Sequence, residues 1–217
     1  MANIEAEPSQ APHRALRLRD WPILLIAALI GLGVLGVGVA ALVNSTPPDG
    51  RRIVLQVDAS AAAVPLIDAN GRQLTWGALN GAPRAVFFGF TRCPEICPTT
   101  VAALSSAFER LGPRAQNLRV DFVSVDPTRD TPDLLKAYFA SVGPRFHGYT
   151  GTEANIAKLA HAYHVFYQRV PTSGGDYTLD HSAIVYLLNA RGEVVDFVTY
   201  NTPPDRLAEQ LDRLVSL

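Results

Sequence analysis

The chain has only two cysteines among its 217 residues, and they stand four positions apart, at Cys93 and Cys97. A pair that close cannot belong to a disulfide framework spread across a small secreted domain, so the two thiols point to local chemistry. Charge is scarce as well: 18% of the residues are charged and the formal net charge is −1. Such a balance gives no general attraction to nucleic acid or to anionic surfaces. With 48% hydrophobic residues, the composition also argues against disorder. No internal repeat and no low-complexity tract is present. The length accommodates one membrane segment and one compact domain, not two ordinary domains with a linker. Function must therefore be argued from a site.

From Ile23 to Val43 there is no charged or strongly polar residue. At a helical rise of about 1.5 Å per residue this run covers a hydrocarbon core of roughly 30 Å. His13, Arg14, Arg17 and Arg19 precede it, and Trp21 falls at headgroup level, so the positive-inside bias leaves residues 1–20 as a cytoplasmic tail. Residues 21–43 are then a single transmembrane anchor and everything after them faces outward. Gly38-Val39-Ala40 resembles a signal-peptide processing site, but the apolar run exceeds the roughly 7–15 residues of a signal core. Glu5 and Glu7 weigh against mitochondrial targeting. Residues 44–50 (NSTPPDG) read as a polar linker, and the soluble domain is expected over residues 51–217.

Within that domain, Ile53–Leu55 begins a short apolar strand, and Pro65–Gly71 reads as a strand entering an Asn-Gly turn. Ala85–Phe90 (AVFFGF) is the continuous apolar run expected of a strand buried on both faces. Pro98 fits the start of a helix that carries Val101, Leu104, Phe108 and Leu111 and stops at Gly112-Pro113. Leu118–Val125 alternates like a strand, Thr131 caps a second helix, and a third stretch of helix runs over Glu153–Tyr163. Val165–Val170 is a further strand, Pro171–Asp180 a polar loop, and Ala183–Leu188 a buried strand. A turn then leads into Glu193–Tyr200, and an amphipathic helix closes the chain over Pro204–Leu214. The alternation implies an α/β sheet with helices on both faces, and a thioredoxin-like fold fits it best.

The central motif is Gly89-Phe90-Thr91-Arg92-Cys93-Pro94-Glu95-Ile96-Cys97-Pro98. It lies between a buried strand and a helix start, where free backbone N–H groups and the helix dipole favour thiolate over thiol. Whether residues 93–97 form a helical turn or a tighter loop, the two sulfurs converge, so either a disulfide or a shared metal is within reach. Two thiolates are soft ligands suited to Cu(I), and an added imidazole would also serve Cu(II) or Zn(II). His181, at the end of the polar loop and just before a buried strand, is the best third ligand, because ligands in such sheets gather at strand ends. His161 and His164 share a helical stretch but lack an accompanying carboxylate or cysteine, and His13 and His147 carry no motif. Asp126 and Asp130 are explained by turn and cap roles, with a second role in orienting a ligating imidazole as the alternative.

Three segments together resemble the Sco/SenC proteins: Thr91–Thr100 with its CPxxCP core, Ser124–Pro132 with DPxRDTP, and Asp180-His181-Ser182. The resemblance runs from about Val64 to the carboxyl terminus. It implies a thioredoxin fold holding one copper ion, Cu(I) or Cu(II), at Cys93, Cys97 and His181. It also implies help in assembling the binuclear copper centre of cytochrome c oxidase subunit II, by metal delivery or by reduction of that subunit's cysteines. Another copper chaperone is a further candidate partner, and the sequence does not identify the copper donor. The anchor then sits in a bacterial inner membrane, single-pass, with the carboxyl-terminal domain in the periplasm. Arg92 stands where the family often has histidine, so the resemblance assigns it no role. The main alternative is an extracytoplasmic thiol-disulfide oxidoreductase with Cys93 and Cys97 as its catalytic pair. A peroxiredoxin-like peroxidase is a third reading.

Overall fold

A computed structural model describes residues 56–217, all of which fall within one compact unit. The expected tail, anchor and linker, and the strand at Ile53–Leu55, lie outside the described residues. Among the described residues no helix is long and apolar enough to cross a membrane.

Seven strands form one sheet in the order β2-β1-β5-β4-β3-β8-β9. They are β1 (Pro65–Asp68), β2 (Gln73–Thr75), β3 (Arg84–Gly89), β4 (Arg119–Ser124), β5 (Phe146–Thr150), β8 (Ile184–Leu188) and β9 (Val194–Thr199). β3, β4 and β5 are parallel, and β1 and β8 run antiparallel on either side of them. Two further strands, β6 (Tyr167–Pro171) and β7 (Tyr177–His181), pair only with each other. The helices are α1 (Ile96–Leu111), α2 (Pro132–Ala140), α3 (Glu153–Ala162) and α4 (Pro204–Val215).

One sheet face is built on the row Val185, Phe87, Phe122 and Gly148, aligned by strand register. Phe139 of α2 lies edge-on to Phe122 with ring centroids 5.2 Å apart. A Cβ on Gly148 would come within 2.9 Å of Leu135, so glycine lets α2 settle onto the sheet. The opposite face packs Phe88, Tyr163, Tyr186 and Trp76 together, mostly edge to face, beneath α3. Each large apolar side chain removed from water here contributes roughly 1.5–3 kcal/mol. Arg84 and Asp121, both almost wholly buried, pair on this second face at 3.2 Å, and the guanidinium lies 4.5 Å from the Trp76 ring centroid.

Helices on both faces of an α/β sheet agree with the expectation from sequence. Three local readings are corrected. β5 has no counterpart among the expected elements. Helix α1 begins at Ile96, two residues before the expected Pro98, because a proline in the first turn forfeits no intrahelical hydrogen bond. The segment Pro171–Asp180 is not a polar loop: most of it is the β6–β7 hairpin, bent at Gly174 and Gly175, whose φ angles of +85° and +80° suit glycine.

The parallel strands β3 and β4 end at the same edge of the sheet. The cysteine segment leaves β3 there, the Asp126–Asp130 turn leaves β4, and β8, running the other way, begins there with His181-Ser182-Ala183 just before it. Sheet topology thus gathers at one edge three segments far apart in the chain.

Candidate metal centre

Cys93 sits in the turn after Phe90, its N–H donating to the Phe90 carbonyl at 3.2 Å. Cys97 lies in the first turn of α1, where backbone N–H groups have no helical acceptor. Its own N–H donates to Cys93 Sγ at 3.4 Å, so the helix start faces the first sulfur. His181 Nε2 stands 3.5 Å from Cys97 Sγ and 3.9 Å from Cys93 Sγ. His181 Nδ1 lies 3.1 Å from the Ser182 carbonyl. A carbonyl can only accept, so in the neutral ring Nδ1 carries the proton and the Nε2 lone pair faces the sulfurs. Phe87 and Phe90 wall the imidazole edge-on, at centroid distances of 6.1 and 5.7 Å.

Among the described residues, Cys93, Cys97 and His181 are the one group of three or more His, Cys, Asp or Glu side chains placed to share a metal ion, with ligand atoms all within 4.8 Å. Bonds of roughly 2.0–2.3 Å to imidazole nitrogen and thiolate set the ligand atoms of a trigonal site about 3.5–4 Å apart. The two sulfur–nitrogen distances lie in that range, and the donor set suits a soft or borderline ion. His147, His161 and His164 are not brought to this edge. The last two do not even share a helix, since α3 ends at Ala162 and His164 is in a left-handed conformation with φ of 54°.

The two sulfurs differ in exposure and acidity. Cys97 is wholly buried, and Cys93 reaches the surface with 9% exposure. Hydrogen bonding from Cys97, by its thiol and by its backbone N–H, pulls the Cys93 pKa down to about 4 against the opposing effect of burial. Cys97 is pushed up, first by that same thiol hydrogen bond and then by burial. Linkage follows from the signs. Cys93 stabilises the reduced fold fully above the ordinary thiol pKa, and that contribution is lost as pH falls from about 9 toward about 4. Cys97 works against the fold above the ordinary thiol range, where only the unfolded chain ionises it. Iodoacetamide at pH 6 should therefore modify one thiol per native reduced chain, at Cys93, and reach Cys97 only after unfolding. Equal modification of both, read by peptide mass, would contradict this asymmetry.

Neither Asp126 nor Asp130 touches the imidazole, which corrects the role of orienting it directly; the Ser182 carbonyl holds the ring. Asp130, fully buried, instead accepts hydrogen bonds from the Thr91 N–H at 3.0 Å, the Thr91 hydroxyl at 2.6 Å and the Ser124 hydroxyl at 2.6 Å. It thereby ties the segment two residues before Cys93 to the end of β4. Thr91 and Ser124 were not singled out from sequence: a hydroxyl beside a motif carries no signal until its partner carboxylate is located. An open cavity of about 500 Å³ adjoins the site, lined by Cys93, Glu95, Phe166, Leu179, His181 and Ser182 among others.

Residues 57–216 match the SCO1/SenC family model. A SCO2-like protein of Rickettsia felis is 33% identical over 192 residues, covering 87% of this chain and 94% of that protein. The mitochondrial SCO2 homolog of Homo sapiens is 29% identical over 88% of this chain and 74% of its own length. The copper-bound structure of ScoI from Bradyrhizobium japonicum is 39% identical with a TM-score of 0.64, covering 70% of this chain and 96% of that one. Copper-bound ScoI from Arabidopsis thaliana is 31% identical with a TM-score of 0.66, covering 70% and 95%.

Proposed function

The chain belongs to the SCO1/SenC family, and from that membership and the edge-of-sheet geometry we propose that it binds copper through Cys93, Cys97 and His181. The convergence of two soft sulfurs and one imidazole carries the reading. Such a set suits Cu(I), and the nitrogen extends it to Cu(II). Similarity to two proteins whose structures hold copper supports copper over zinc.

The finer reading is a membrane-anchored metallochaperone. Residues 21–43 hold the chain in a bacterial inner membrane, residues 51–217 work in the periplasm, and another copper chaperone supplies the ion. The acceptor is the binuclear copper centre of cytochrome c oxidase subunit II. The positions of the ligands support transfer by stepwise exchange. Cys93 and His181 line the open cavity, whereas Cys97 lies behind them. Incoming thiolates of the acceptor therefore replace His181 and Cys93 first and Cys97 last.

A disulfide between Cys93 and Cys97 removes two of the three ligands, so redox state gates loading. The reduced protein should take up one copper per chain, and the oxidised protein none, by equilibrium dialysis with metal analysis. Copper-loaded protein mixed with the reduced soluble domain of subunit II should then lose its metal to that domain. Equal uptake by both redox forms would end the proposal. A second reading, thiol-disulfide exchange with the acceptor, is favoured by the low pKa of Cys93 beside a buried Cys97.

A further inference from the structure

The β6–β7 hairpin carries His181, yet neither of its strands shares a ladder with the seven-stranded sheet. Its place must be set by other contacts, and the turn after β4 supplies them. Asp126, 1% exposed, accepts a hydrogen bond from the Tyr177 hydroxyl at 2.7 Å and pairs with Arg129 Nε. Arg129 Nη1 donates to the Tyr177 carbonyl at 2.8 Å and to Asp176 at 3.0 Å. Its guanidinium also lies 3.7 Å from the centroid of the Tyr177 ring. Tyr177 is thus held by its hydroxyl, its ring face and its backbone at once.

The other strand is tied to the same turn. Arg169, opposite Leu179 in the hairpin register, donates to the Thr128 hydroxyl at 3.1 Å and to Glu153 at 2.6 Å. From Tyr177, β7 runs directly to His181, a span of about 13 Å at the rise of an extended strand. A shift at Tyr177 is therefore carried along the strand to the imidazole. A buried Asp–Arg pair is weak as a source of stability, because desolvation offsets the attraction, and Arg129 keeps one buried nitrogen, Nη2, without a hydrogen-bond partner. Its use is better understood as fixing one arrangement.

We propose that Asp126, Arg129 and Tyr177 form a clamp of positioning residues that fixes the hairpin and so sets the approach of His181 to Cys93 and Cys97. The proposal rests on the copper-binding reading, which the test separates from it. Cu(II) affinity is measured by competition titration on the reduced protein for wild type, Arg129→Ala, Tyr177→Phe, His181→Ala and Arg129→Ala/His181→Ala. Arg129→Ala should lower affinity about 10–100-fold, the scale of groups that orient metal ligands, and Tyr177→Phe should do so less. In the His181→Ala background Arg129→Ala should cost nothing further, because the clamp acts only through the imidazole. In the metal-free reduced protein, Arg129→Ala should speed amide hydrogen exchange at Thr178–Asp180 and leave β3 and β4 unchanged.

Equal losses in both backgrounds, or unchanged exchange in the hairpin, would overturn the clamp and leave the copper site standing. If the wild type binds no copper, the copper reading falls and exchange alone decides whether the clamp holds the hairpin. Should Arg129→Ala fail to fold, Tyr177→Phe, which keeps the ring and loses only the hydroxyl bond, decides by the same comparisons.

Discussion

His181→Ala should cost the reduced protein about a thousandfold or more in Cu(II) affinity, on the order of 4 kcal/mol, with a smaller loss for Cu(I). The difference follows from ligand chemistry. Cu(I) is well served by two thiolates, whereas Cu(II) draws more on the imidazole nitrogen. The ring is already aimed, with Nδ1 engaged by the Ser182 carbonyl and Nε2 within 4 Å of both sulfurs, so removing it deletes a prearranged ligand. Cys93→Ser and Cys97→Ser should each abolish tight binding of both oxidation states, since one sulfur is left. Competition titration with chelators of known affinity reads all three. The same variants separate the two functional readings. If thiol exchange is the activity, His181→Ala should still reduce a disulfide substrate while failing to hold copper. Retention of tight Cu(II) binding by His181→Ala would remove the metal-carrier assignment, because nothing else among the described residues offers a third ligand to these sulfurs.

What could be read from the sequence was decided by how strongly each segment is constrained locally. β3 after Arg84, and the whole of β8, are unbroken apolar runs, and α2 has Thr131 capping the Leu134 N–H with Pro132 at its first position, so propensity and packing agree. β5 was hidden because Phe-His-Gly-Tyr-Thr neither alternates nor forms an apolar run. Its glycine is there for the approach of Leu135 and Phe139, a tertiary reason with no local signature. Of the β6–β7 hairpin, β6 falls largely within the strand expected at Val165–Val170, but β7 was hidden for the opposite reason: a strand with a single buried residue reads as part of a polar loop. The candidate site fared better. Two cysteines at a strand-to-helix junction and a histidine before a buried strand are legible from spacing and topology alone. The ties from Asp130 and Asp126 are not, since Asp-Pro-Thr-Arg-Asp explains itself as a turn until the structure reveals its partners.

Gly89→Ala should weaken both the fold and the copper site. A Cβ built on Gly89 would lie 2.7 Å from Cys97 Sγ and 2.8 Å from the Phe122 ring, closer than side chains tolerate. Neither neighbour can give way cheaply. Cys97 is wholly buried in the first turn of α1, and Phe122 is packed among Phe87, Tyr138 and Phe139. The Gly89 carbonyl accepts from the Val125 N–H at 2.8 Å, which holds the strand end in place. The added methyl must therefore push the start of α1 away from the sheet. Overpacking of this kind costs about 1–3 kcal/mol, which lowers Tm by roughly 2–12 °C in a domain of this size. The displaced atom is the buried sulfur itself, so copper affinity falls together with stability. Gly151→Ala is the control, since a Cβ there meets nothing closer than 3.5 Å and should leave both quantities near wild type. A Gly89→Ala protein that melts lower yet binds copper as tightly as wild type would mean that the helix start relaxes without moving Cys97 Sγ. The close approach of strand and sulfur would then be a packing detail and not what sets the geometry of the site.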